Sequence, residues 1–299
     1  MKTSSLVWIV LAAVLVFSLV AIWFAPSVQD YLAGNRMWNG IHDFSREFKS
    51  GDLELLSQLP ESTGGVLIEI PYTAYAETDL QQIQKYISRG NTLVLMDDLG
   101  YGNSVLEYLG LSVRFTHTLL LDPLFCYKNA YLPRITSFSD PLAANGIRSL
   151  TLNHATFLDS VDSASVIAWS SNESFADRNG DGDRDKEESP GPFPVAAEFT
   201  MGAGRVEIVS DPSLIINTML DQSNNNKFIR YILQRSGVPS SIVIDRSHLS
   251  LAPLDTTKTG LQKARHFIAH PYFLLLLVAL VFVFISRYSL KKGETIGKL

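Results

Sequence analysis

No disulfide can close within this chain, because Cys126 is the only cysteine in 299 residues. A lone thiol of this kind reads as a small buried apolar residue. Positive charge is also scarce: 25 Lys and Arg stand against 30 Asp and Glu, a net of −5. That balance suits neither nucleic acid nor an anionic lipid surface, so no nucleic-acid partner is expected. Histidine is sparse, and His42, His117 and His154 show no metal-ligand spacing. Gly100-Tyr101-Gly102 lacks the third glycine of a dinucleotide fingerprint. There is no internal repeat and no low-complexity tract. What is present in quantity is apolar: 46% of residues are hydrophobic, too many for a disordered chain.

The apolar excess gathers at the two ends. Residues 5–24, SLVWIVLAAVLVFSLVAIWF, form an uncharged run long enough to cross the hydrocarbon core. A cleavable signal has a shorter apolar stretch, about 7–15 residues, closed by small residues. Here Trp23 and Phe24 close it, which favours an uncleaved anchor. A second run ends in PYFLLLLVALVFVFIS and extends over 267–286 when its FIAH flank is included. Lys2 precedes the first run, and Arg287, Lys291, Lys292 and Lys298 follow the second. The excess of Lys and Arg at the tails places residues 1–4 and 287–299 in the cytoplasm. The expectation is a two-pass protein of the cell membrane, with residues 25–250 outside and 251–266 as a connector.

The outer segment reads as one α/β domain. VLIEI at 66–70 and TLVLMD at 92–97 are apolar strand patterns. Between them, Leu80, Ile83, Tyr86 and Ile87 recur at helical spacing, with Thr78 and Asp79 as capping residues and Gly90 as the stop. A short helix, SVLEYLG, follows the second strand. Strand, helix, strand, helix with short loops predicts a parallel sheet covered on both faces. Further on, RSLTLN, SVIAWS, FPVAAEFT and GRVEIVS are strand-like, and Met201-Gly202-Ala203-Gly204 joins the last two as a hairpin. NNNKFIRYILQ at 224–234 is helical, and SIVIDRSHL at 241–249 begins as a strand.

Residues 177–188, DRNGDGDRDKEE, crowd six acidic groups into one loop. They match every fixed position of the calcium-loop template D-x-[DN]-x-[DN]-G-x5-E. Asp177, Asn179, Asp181, Asp185 and Glu188 would offer side-chain oxygens, and Asp183 its carbonyl. Strand-like SVIAWS before the loop and SPGPFPV after it replace the helix pair of a calcium switch. The expected cofactor is therefore a structural calcium ion that neutralises the crowded carboxylates.

GNTLVLMDDLGYGNSVLEYLGL at 90–111 resembles the class I glutamine amidotransferase-like fold. In that fold a glycine-led strand enters a sharp turn carrying a cysteine nucleophile, and a helix follows. WNG at 38–40, GRVEIVSDPSLIINTML at 204–220, NNNKFIRYIL and VIDRSH at 243–248 extend the likeness. Together with the flanking apolar runs, they resemble an uncharacterised membrane-anchored family of the DUF4350 kind that adopts this fold. The resemblance implies a mainly parallel sheet flanked by helices, with additional antiparallel strands and one transmembrane helix at each end. In this sequence the turn holds Asp97, Asp98, Leu99 and Gly100, with no cysteine, and no serine until Ser104. Amidotransferase activity therefore does not carry over.

Two functions compete at this stage. One is a non-catalytic, doubly anchored binding or scaffold protein, an accessory of a membrane complex with membrane-protein partners. It would take a small ligand at the strand ends near Asp97, Asp98 and His248, where open α/β sheets hold ligands. The alternative is a hydrolase outside the cytoplasm that uses Asp97 or Asp98 with His248. Asp245, three residues before His248, reads as the cap of a polar turn at a strand end.

Overall fold

A computed structural model of the chain describes residues 3–250, 252–273 and 275. It divides into two compact units, Met1–Pro26 with Leu251–Leu299, and Ser27–Ser250. Its helices are α1 (Thr3–Phe24), α2 (His42–Phe48), α3 (Glu77–Ser88), α4 (Asn103–Tyr108), α5 (Asp140–Ala144), α6 (Asn225–Leu233) and α7 (Pro253–Ile268). The strands of the main sheet are β1 (Gly51–Leu53), β2 (Val66–Glu69), β3 (Thr92–Met96), β4 (Ser137–Phe138), β5 (Val166–Trp169), β6 (Pro194–Met201), β7 (Gly204–Val209) and β8 (Ile242–Asp245).

In the smaller unit, the window Val7–Phe24 of α1 has a mean hydropathy of 2.8 and none of it is buried. It is the one helix among the described residues long and apolar enough to cross a membrane, a test that a signal sequence also passes. Most of the second expected span, 267–286, and all of the basic tail, 287–299, lie outside the described residues. The expected connector at 251–266 is largely helical. Pro253 opens α7 at a position where a missing N–H costs no hydrogen bond. Arg265 of α7 stacks its guanidinium 5.6 Å over the Trp23 ring of α1.

The larger unit is a mixed α/β structure with a large, mostly parallel central sheet flanked by helices. The strand order is β1-β8-β2-β3-β7-β6-β5-β4. The first five of these run parallel. The last three are antiparallel additions. Alternation along the strands supplies both faces. Val66, Ile68, Val94 and Val209 enter one core with Phe44 of α2 and Phe228, Ile229 and Ile232 of α6. Leu67, Leu93, Leu95 and Ile208 enter the other with Ile83 and Ile87 of α3 and Leu106 of α4. A sheet buried on both sides needs continuous apolar strands, which is why VLI and TLVLM read as unbroken runs.

Two local expectations are corrected. Helix α3 starts earlier than its expected caps: Ala76 precedes its first residue, and Asp79 reaches back to the Ala76 N–H at 3.3 Å. Cys126 is half-buried in a loop of exposed residues rather than packed in the core. The loop from Leu119 also forms a ribbon unsuspected from the sequence, Leu119–Leu121 pairing with Phe175–Asp177. The WNG motif has a steric cause. A Cβ on Gly40 would lie 1.9 Å from the Asn35 carbonyl oxygen, so only glycine lets the buried Asn35 turn close.

Candidate functional site

The carboxyl ends of the adjacent parallel strands β8, β2, β3 and β7 each carry or precede an acid: Asp245, Glu69, Asp97 with Asp98, and Asp211. The acids divide between two clusters. Leu67 and Val243 face the α3 side of the sheet. Two residues further on, the strand period returns Glu69 and Asp245 to that side. There they meet His248 from the turn after β8. One ligand atom from each of the three lies within 4.8 Å of the others.

Asp245 is held by four donors. Its Oδ1 accepts from the Ser247 hydroxyl at 2.7 Å and the Ser247 N–H at 3.1 Å. Its Oδ2 accepts from the His248 N–H at 3.1 Å and pairs with His248 Nδ1 at 2.6 Å. Burial pushes the Asp245 carboxyl up, and the His248 and Ser247 hydrogen bonds outweigh it, so the carboxyl ends below its ordinary range. The Tyr75 hydroxyl donates to Glu69 Oε2 at 2.8 Å. Glu69 Oε1 is buried with no hydrogen-bond partner. Burial, reinforced by the negative Asp245, raises the Glu69 carboxyl well above its usual value. The Tyr75 ring stacks on His248 with centroids 4.0 Å apart, and His248 Nε2 faces Asp79 Oδ2 at 3.6 Å. A cleft of about 350 Å³, lined in part by Thr73, Asp79, Ser247 and His248, opens beside the imidazole.

The expected partners Asp97 and Asp98 do not join this group. No hydrogen bond or ion pair links either to His248 among the described residues. Asp97 Oδ1 accepts from the Leu99 N–H at 2.7 Å and the Gly100 N–H at 3.0 Å, and Oδ2 from the Gly102 N–H at 2.6 Å. All three bonds organise the turn ahead of α4. Asp98 belongs to the second cluster. Burial first, and the neighbouring Asp97 second, raise its carboxyl to about 6. Asp211, fully buried, is raised to about 7 by burial even though the Asn153 and Ser213 N–H groups each bond it at 2.7 Å.

The acidic loop carries its predicted glycine turn: Gly182, at the sixth position, has φ +83°. A Cβ there would meet the Tyr131 hydroxyl at 2.7 Å. The first and last acids of the loop, Asp177 and Glu188, are buried. Asp177 accepts from the Gly180 and Gly182 N–H groups, and Glu188 from those of Arg178 and Asp185. The intervening side chains are more open. Asn179 donates its amide to Asp181 at 2.8 Å and to Asp185 at 3.0 Å, and the Asp183 N–H bonds Asp181. Asp185 is raised chiefly by the negative Asp181.

Sequence reasoning singled out His248 but paired it with Asp97 or Asp98, read Asp245 as the cap of a turn, and missed Glu69 and Tyr75. The available signal was an acid at the end of an apolar strand, VLIE, in a βαβ unit. The sequence family described as a domain of unknown function, DUF4350, matches residues 35–233, more than half of the chain. The chain belongs to that family. The DUF4350 match takes in Glu69, Tyr75 and Asp79 and stops before Asp245 and His248. No curated protein matches the sequence. The mmIFT52 N-terminal domain has a similar fold, with a TM-score of 0.53 at 12% identity over 71% of this chain and 94% of that one. A beta-galactosidase from Bacillus circulans sp. alkalophilus aligns with a TM-score of 0.32 at 12% identity, over 55% of this chain and 22% of that one. For the exo-beta-1,4-mannosidase Op5Man5 from Opitutaceae bacterium strain TAV5 the figures are 0.30, 10%, 64% and 27%. These two likenesses are too loose to bear on this chain.

Proposed function

We propose that this DUF4350 protein is a non-catalytic binding or scaffold module, anchored in the cell membrane with its α/β unit outside, and an accessory of a membrane complex. One observation carries the reading. At the turn after β3, where a glutamine amidotransferase-like fold keeps its nucleophile, both Asp97 oxygens are taken by three backbone N–H groups. The turn is held rigid through Asp97 and carries neither a cysteine nor a serine from 97 to 100. The histidine argues the same way. Asp245 and the Ser247 hydroxyl both meet His248 Nδ1, at 2.6 and 3.1 Å, while Nε2 faces the Asp79 carboxylate at 3.6 Å, so among the described residues no hydroxyl stands across the imidazole from Asp245 in a relay. Broad substrate profiling of the purified full chain tests this. A turnover that disappears in both Asp98→Asn and His248→Gln would establish the hydrolase instead.

The acidic loop completes the reading as a structural calcium clip. The glycine turn and the buried Asp177 and Glu188 support it. The Asn179 amide lies between Asp181 and Asp185, and calcium would require it to turn its oxygen toward them. Bound calcium would neutralise carboxylates that now repel one another. Adding millimolar calcium to the chelated full chain is expected to raise its melting temperature by several degrees, and Asp181→Ala to abolish the rise. An unchanged melting curve in the parent chain would remove calcium from the account.

A further inference from the structure

We propose that Glu69, Asp245 and His248 form a second metal site, for a first-row divalent cation of the zinc class, separate from the acidic loop. The donor set is one imidazole and two carboxylates, a combination that zinc accepts in sites that keep a fourth position open. Three features make it more than a group of acids. Its ligand atoms already converge within 4.8 Å. Glu69 Oε1, on a fully buried side chain, has no N–H or hydroxyl donor among the described residues, and the Glu69 carboxyl faces that of Asp245. A buried acceptor without a partner is costly, and a cation beside it would supply what is missing.

The third feature is the surrounding shell. Metal-bound carboxylates and imidazoles are normally oriented by further hydrogen bonds. Here the Tyr75 hydroxyl fixes Glu69 through Oε2 and leaves Oε1 for the ion. The Ser247 hydroxyl and two N–H groups fix Asp245. With Nδ1 turned toward the ion, the other imidazole nitrogen faces the Asp79 carboxylate, 3.6 Å away. That is the carboxylate–histidine–metal arrangement.

Binding displaces to solvent the proton between His248 Nδ1 and Asp245 Oδ2, now 2.6 Å apart, together with any proton held on Glu69. Tetrahedral ligands on zinc, with bonds of about 2.0 Å, stand about 3.3 Å from one another. The pair must therefore open by about 0.7 Å. The cleft lined by Thr73, Asp79, Ser247 and His248 gives the ion its path.

The site is tested on the full chain in lipid nanodiscs, stripped with chelator and titrated with zinc chloride in excess calcium. Calcium occupies oxygen-only sites, and the comparison with Glu69→Gln separates this site from the other five histidines of the chain. One zinc per chain is expected. Glu69→Gln should weaken binding at least 100-fold. Tyr75→Phe, which keeps the ring on His248 and removes only the hydroxyl, should weaken it about 10- to 100-fold. Asp181→Ala should leave it unchanged. Cobalt in place of zinc should give a visible absorption band that Glu69→Gln removes. Far less than one zinc per chain overturns the proposal, and so does zinc held as tightly by Glu69→Gln as by the parent. The outcome is independent of the partner-binding reading, because zinc uptake is measured without partner or substrate.

Discussion

Replacing Asn225 by alanine is expected to remove about 2–6 kcal/mol of stability, the sum of stranding two buried polar groups at about 1–3 kcal/mol each. The side chain of Asn225, at the start of α6, is completely buried. Its amide donates to the Thr151 carbonyl at 2.9 Å and the Met219 carbonyl at 2.8 Å, and its oxygen accepts the Thr151 N–H at 2.9 Å. Alanine strands the Thr151 N–H and carbonyl and leaves the Met219 carbonyl with only the Gln222 N–H, at 3.0 Å. Asn225→Asp fares no better, because it turns a second oxygen toward two carbonyls. Since domains of this size are stable by only about 5–15 kcal/mol, either change should bring the unit close to unfolding at ordinary temperatures. Chemical denaturation of the full chain in mild detergent measures the loss. A midpoint within error of the parent's would show that Asn225 does not clamp the helix.

Glu207→Gln should stabilise the protein at pH 7.5 and leave it nearly unchanged at pH 4.5. Glu207 lies on β7 directly opposite Glu198 on β6, an unfavourable register for two acids. Arg235 and Arg205 both bond Glu198, and the Arg235 hydrogen bonds hold its carboxyl below the ordinary range. Glu207 is left with one 3.3 Å contact to Arg205 and an unpartnered Oε2. Burial, and then Glu198, push its carboxyl from 4.5 to about 7. The folded state therefore holds this proton more tightly than the unfolded chain. The stability it brings is complete below pH 4.5 and is lost as pH rises through 7. A shift of that size is worth about 3 kcal/mol, at 1.36 kcal/mol per unit. Glu198, with its lowered carboxyl, acts in the opposite sense and below pH 4.5, so the two windows separate. Melting temperatures of parent and Glu207→Gln across pH 4.5–8 should converge at the acid end and part above pH 6. Parallel curves would place the proton elsewhere.

The layered core was legible because it rests on period alone. VLI, TLVLM and the spacing Leu80, Ile83, Ile87 give strand, strand and helix without any tertiary information. The hairpin through Gly202 was legible for the same reason. What could not be read depends on partners distant in sequence. Leu119–Leu121 finds Phe175–Asp177 more than fifty residues later, and no local pattern marks that pairing. Asn225 looked like one residue of a polar helix start, and its role appears only when Thr151 and Met219 are brought to it. The site divides similarly. Asp245 and His248 are three residues apart, and that spacing is legible as a capped turn after a strand. Glu69 joins them because β2 and β8 are neighbours in the sheet, an adjacency that sequence order conceals. The same adjacency puts β2 between β8 and β3, which keeps Asp97 and Asp98 from His248.

The two outermost strands of the sheet, Gly51–Leu53 and Ser137–Phe138, are only three and two residues long. Borders that brief offer almost no backbone ladder for another polypeptide to zip onto. Copies of this unit are thereby protected from fusing through the main sheet into aggregates. Lasting association with neighbours must run through side-chain surfaces, where single substitutions can tune it.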